Sequence, residues 1–115
     1  MGTQNLKRLG STPAYIAAAA ANLYNPASGV FGIVRHIHVA NTDSSGHNFT
    51  LYLGLTGATL GGTQEFSGKV VNANDVYDWY GFMELGNSDF LVGIADSGSK
   101  LVITLEGEEF LVPPT

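Results

Sequence analysis

The chain has no cysteine, and that absence removes three kinds of chemistry at once. A disulfide framework, a cysteine-ligated zinc site and a cysteine nucleophile are all excluded. Charge is scarce too. Asp, Glu, Lys and Arg make up only 13% of the 115 residues, about half the usual share, and so bare a surface on a small protein is often covered by a partner. Bases are fewer than acids, 5 against 10, for a net charge of −5. General nucleic-acid binding needs a basic patch, so no nucleic-acid partner is expected. No apolar run approaches the roughly 20 residues of a membrane-spanning helix, so no membrane partner is expected either. Lys7 and Arg8 precede an alanine run, but Gly10, Ser11, Thr12 and Pro13 intervene and Asn22 closes it. No secretory signal is expected from that pattern, and the chain reads as soluble and made in a cytoplasm.

What is present is apolar and evenly spread. The hydrophobic share is 44%, and a single domain of this length buries roughly 65% of the surface its unfolded form exposes, enough for a core without staples. The 15 glycines suit many tight turns. The strongest local signal is VFGIVRHIHVANTDSSGHNFTLYLGL, residues 30–55. In its second half Phe49, Leu51, Leu53 and Leu55 share one parity, and Thr50, Tyr52 and Gly54 the other. Strand side chains point alternately to opposite faces, so a period of two predicts a half-buried strand. The first half is rich in β-branched residues, and NTDSSGH between the halves is turn chemistry. Together they predict a β-hairpin on which the remaining strands pack. The apolar phase changes inside the first strand: Val30 and Val34 lie on one parity, Ile37 and Val39 on the other. A β-bulge at Arg35 and His36 reconciles them, because one extra residue swaps the faces.

Residues 1–13 carry no hydrophobic period and contain Gly2, Gly10 and Pro13. They predict an extended N-terminal arm, either a frayed end or a docking arm whose Lys7 and Arg8 meet an acidic partner. Residues 14–24, AYIAAAAANLY, are ambiguous. Five successive alanines favour helix, but the run lacks an apolar stripe and is too short to hold a helix alone; a strand is expected, with side chains small enough for another chain to approach closely. After residue 55 comes TGATLGGTQ, a Gly-rich loop. Strands are predicted over residues 65–71 and 76–84, then on the alternations Phe90, Val92, Ile94 and Leu101, Ile103, Leu105, with turns at 72–75, 86–89 and 96–99. Val112, Pro113 and Pro114 end the fold, since proline cannot continue a ladder. About seven to eight short strands with regular turns predict an all-β chain: an antiparallel β-sandwich, jelly-roll or Ig-like, over residues 14–115.

Chemistry-bearing residues are present without an assembled centre. His36 and His38 lie two apart, so on a strand both imidazoles project from one face, where they could hold a metal. A site needs a third ligand; none is near in sequence, and His47 or Asp43 would have to fold back. No metal and no cofactor are expected. Asp75, Asp78, Glu84 and Asp89 cluster around the aromatic strand and invite a glycosidase reading, but Asp75, Asp89 and Asp96 sit in Asn, Ser and Gly contexts that are ordinary turn chemistry. There is no G-x-S-x-G elbow, and GATLGGT lacks the Gly-Lys-Ser/Thr ending of a phosphate loop. The chain is expected to be no enzyme. On the aromatic strand Tyr77 and Trp79 share a face, and Tyr80 and Phe82 the opposite one. One pair is expected in the core. The other is a candidate anchor for a sugar ring or a neighbouring subunit, the usual work of exposed Trp and Tyr.

Asn-Leu-Tyr-Asn-Pro at residues 22–26, Gly29, Ile-Val-Arg-His-Ile-His-Val-Ala-Asn-Thr at 33–42 and Phe-Thr-Leu-Tyr-Leu at 49–53 form a run that resembles small β-sandwich virion proteins of tailed bacteriophages. The Gly-Asn-Ser-Asp turn at 86–89, before Phe-Leu-Val-Gly-Ile-Ala, stands where those proteins tend to have a Gly-Asp turn. The resemblance covers about residues 22–105 and consists of strands and turns, with no catalytic motif. It implies a capsid decoration or minor capsid protein, or else a small tail- or fibre-associated protein, located in the virion after synthesis in the host bacterial cytoplasm. It also implies a homotrimer whose partner is the major capsid protein or another virion protein, with Lys7 and Arg8 lying over the shell. Two features depart from the pattern: Pro26 and Gly29 are spread apart, and the aromatic strand is heavier than usual. The second keeps open a glycan-binding role for Trp79 with Tyr77 and Tyr80.

Overall fold

The computed structural model describes residues 6–55 and 64–111. The Gly-rich loop at 56–63 and the proline-rich end at 112–115 lie outside the described residues. The described chain is all β: β1 (Lys7–Arg8), β2 (Ala14–Tyr15), β3 (Ala21–Tyr24), β4 (Val30–Asn41), β5 (His47–Leu55), β6 (Gln64–Val71), β7 (Val76–Leu85), β8 (Asp89–Ala95) and β9 (Leu101–Leu111). They form two antiparallel sheets packed as a sandwich. One runs β1-β9-β4-β7, with β2 also on β9; the other runs β3-β8-β5-β6.

The pairings nest. β5 pairs β6, β4 pairs β7, β3 pairs β8 and β2 pairs β9, as if one long hairpin of paired strands had been rolled up. Rolling brings β4 against β9 and β5 against β8. This is a jelly roll. It overturns the expected hairpin of β4 with β5. Those two strands belong to opposite sheets, and the Asn-Thr-Asp-Ser-Ser turn is an arch between layers. Alternation reports that each strand has one buried face; it does not say whether two such faces lie side by side or across the core. Asn41, itself buried, holds the arch, its Nδ2 donating to the Ser45 carbonyl at 2.8 Å and the Val71 carbonyl at 3.0 Å.

The bulge lies where the phase change predicts. The register of β4 slips between Val34 and His36 against both neighbours. As a result Val34, Ile37 and Val39 all enter the core, fully buried. Phe49, Leu51 and Leu91 face them from the second sheet, also fully buried.

From Lys7 onward β9 holds the N-terminal segment through β1 and β2, with a turn at Gly10 and Ser11 between them. Leu9 and Ile16 are fully buried. Between β1 and β2 the ladder is broken, and Thr12 repairs it: its Oγ1 accepts from the Leu105 N–H at 3.0 Å and donates to the Leu9 carbonyl at 2.8 Å. The alanine run is neither a helix nor one continuous strand. It splits into β2 and β3 on opposite sheets, and residues 17–20 form the exposed corner between them. Small side chains suit that sharp passage, and the helix propensity of alanine loses to the burial of Ile16 and Tyr24 on either side.

Candidate functional site

The outer face of the β9-β4-β7 sheet carries a row of ionisable side chains. Because the bulge at Arg35 resets the parity of β4, His36 and His38 point outward while Ile37 and Val39 point in. On β7, Asp78 stands opposite His38; on β9, Glu106 stands opposite His36. Asp78 Oδ1 lies 2.7 Å from His36 Nε2 and 2.7 Å from His38 Nδ1. The other nitrogen of His36, Nδ1, lies 2.8 Å from Glu106 Oε1. Tyr80 stacks flat on the His36 ring, with centroids 4.4 Å apart and planes 3° from parallel.

The electrostatics follow from these contacts. Burial alone would pull the His36 pKa down; the hydrogen bonds to Glu106 and Asp78, with the charges behind them, outweigh it and raise the value. The hydrogen bonds from His38 and His36 hold the Asp78 carboxyl below its ordinary range.

Beside this row an open groove of about 860 Å³ is lined by Arg8, Arg35, His36, Tyr80, Glu106 and Glu108, among others. Arg35 Nη1 reaches Glu108 Oε2 at 3.3 Å, and its guanidinium lies 5.8 Å from the centre of the Phe82 ring. Lys7 is tied within the chain: its Nζ donates to Glu109 Oε1 at 2.8 Å, while Tyr24 donates its hydroxyl to Glu109 Oε2 at 2.6 Å. These two bonds, Lys7 foremost, hold the Glu109 carboxyl below its ordinary range. Of the basic pair, Arg8 is the one that lines the groove without an ion pair in the described structure.

The aromatic pairs divide as the alternation predicts. Tyr77 and Trp79 face inward, partly buried, each edge-on to Phe66. Tyr80 and Phe82 face outward, 73% and 62% exposed. The rings available to a sugar or a subunit are therefore Tyr80 and Phe82, and Trp79 belongs to the sandwich.

His47 and Asp43 do not fold back onto His36 and His38. They form a cluster of their own at one end of the sandwich, with His47 Nε2 2.7 Å from Asp43 Oδ2, Nδ1 3.0 Å from Asp96 Oδ1, and Lys100 Nζ 3.8 Å from Asp43. Nor do the suspected carboxylates converge. Asp75 accepts from the Val76 N–H at 2.8 Å and Asp89 from the Gly86 N–H at 2.8 Å, turn roles at opposite ends of β7. Sequence reasoning missed Asp78 and Glu106 as the partners of the histidine pair. The signal that identifies them is the cross-strand register, since neither is near His36 or His38 along the chain. Set against known proteins, the chain matches no family model and no curated protein.

Proposed function

We propose that this chain is a structural virion protein of a tailed phage: a capsid decoration or minor capsid protein that stabilises the shell by binding, with no catalytic step. The observation that carries the reading is the outer side of β7. Val76, Tyr80 and Phe82 stand 50%, 73% and 62% exposed, on a strand that pairs only with β4 among the described residues. An open strand edge with aromatic side chains is a docking surface, because unpaired backbone groups and apolar rings both gain by being covered. The low charge and the resemblance of residues 22–105 to phage virion proteins support the same reading. So does the jelly roll, which viral shell and lectin domains use; that support is analogy at the level of fold.

In this account copies associate as a homotrimer and dock on the major capsid protein or another virion protein. Each contact is modest, and repetition over a symmetric shell multiplies it. Virions made with and without the gene test the idea. Particles lacking the protein rupture at lower temperature, and adding purified protein restores them. Equal resistance of both particles would contradict it.

A second reading has its own support. Tyr80, beside a groove lined by Arg8, Arg35, Glu106 and Glu108, gives a stacking ring next to polar groups, the composition of a glycan site on a tail or fibre. Glycan-array binding lost in Tyr80→Ala and kept in Trp79→Phe would favour it over the shell role.

A further inference from the structure

We infer that His36, His38 and Asp78 form a binding site for a divalent transition-metal ion of the zinc class, with Glu106 as the outer carboxylate that orients His36. The inference is independent of any role on a particle. One ligand atom from each of the three side chains lies within 4.8 Å of the others. Two imidazoles and one carboxylate are a donor set that zinc and its neighbours accept, with the remaining position left for water. Bonds of ~2.0–2.1 Å place tetrahedral ligand atoms about 3.3 Å apart, so the 2.7 Å contacts of Asp78 Oδ1 with His36 and His38 open by roughly 0.6 Å.

The surroundings fit the same chemistry. A metal-bound imidazole normally gives its second nitrogen to a carboxylate, which fixes the tautomer and raises ligand basicity. His36 does this: Nε2 faces Asp78 and Nδ1 lies 2.8 Å from Glu106. Tyr80, stacked at 4.4 Å, fixes the plane of the ring. The charges balance as well: Asp78 and Glu106 bring two carboxylates to the site, and a divalent ion matches them. The ion would join β4 to β7 side chain to side chain, across the register His38 to Asp78.

The test uses the full chain, stripped with chelator and titrated calorimetrically with Zn²⁺ at neutral pH, then with Co²⁺ followed by visible absorption. One ion binds per chain, and Co²⁺ gives the intense absorption of a four-coordinate site. His38→Ala and Asp78→Asn abolish binding. Glu106→Ala weakens it roughly 10–100-fold, and His47→Gln leaves it unchanged. In the unaltered protein, NMR resonances of His36 and His38 move with Zn²⁺ and those of His47 do not, a readout that needs no variant to fold. Absence of saturable binding overturns the site, as does binding that survives in His38→Ala and Asp78→Asn or resonance changes confined to His47.

Discussion

Leu9 donates its backbone N–H to the carbonyl of Leu105 at 2.9 Å, and its side chain is fully buried beside it. That one residue makes the N-terminal segment part of the sandwich. A truncation of residues 1–13 therefore removes core along with any docking arm, and loss of attachment in such a variant would say little about Lys7 and Arg8. Leu9→Ala is expected to destabilise the fold by about 2–5 kcal/mol, the range for emptying a buried leucine site. Thr12→Val, which leaves the Leu105 N–H without its acceptor, is expected to cost about 1–3 kcal/mol. Urea unfolding followed by fluorescence of the single tryptophan measures both.

Stability at the arch end depends on pH in two directions. The hydrogen bond to Asp43, with that to Asp96 behind it, raises the His47 pKa against the opposing effect of burial. The same bond from His47, then the Ser44 backbone N–H, lowers that of Asp43. A raised histidine contributes stability fully below its unfolded value, ordinarily 6.5, and loses it as pH rises through the folded pKa. A lowered carboxylate contributes fully above its unfolded value, ordinarily 3.8, and loses it as pH falls through the folded pKa. The cluster is thus strongest between those values. The gap in Tm between the parent chain and His47→Gln should be widest there, narrowing on both sides. A gap constant with pH would show that the cluster does not couple to folding.

Gly107 has no room for a side chain. It pairs with Val34 at the bulge, and a Cβ there would run into the carbonyl oxygen of Ile33. Gly107→Ala forces β4 and β9 apart at the point that sets the parity of His36. A loss of about 1–3 kcal/mol is expected from the backbone shift, together with a downward move of the His36 pKa as Glu106 drifts from Nδ1. Denaturant unfolding and an NMR histidine titration read the two effects.

Periodicity made the individual strands legible and left their partners hidden. The limits of β4 and its bulge followed from the residues alone, because Val34 and Ile37 cannot both face the core in an unbroken strand. The division of the aromatic strand into an inner and an outer pair followed for the same reason. Pairing did not. The turn after Asn41 carries the same residues whether it closes a hairpin or arches between sheets, and the choice depends on β9 and β8, more than 40 residues away, taking the adjacent positions. The site suffered from this gap. His36 and His38 announced a shared face, but Asp78 and Glu106 reach it only through the registers of two other pairings.

The proposed function has the outer face of β7 dock on a viral shell. Tyr80 and Phe82 are exposed, so Tyr80→Ser with Phe82→Ser should leave Tm nearly unchanged, as surface substitutions usually do. If they anchor the contact, each is worth ~2 kcal/mol or more, and together their loss lowers affinity by at least about a hundredfold. Co-sedimentation of the purified chain with tailed-phage shells prepared without the protein is the direct measurement. Saturable binding by the parent chain, and none by the double variant at the same concentration, is the expected result. A parent chain that stays in the supernatant, or a double variant that binds as tightly, would contradict it.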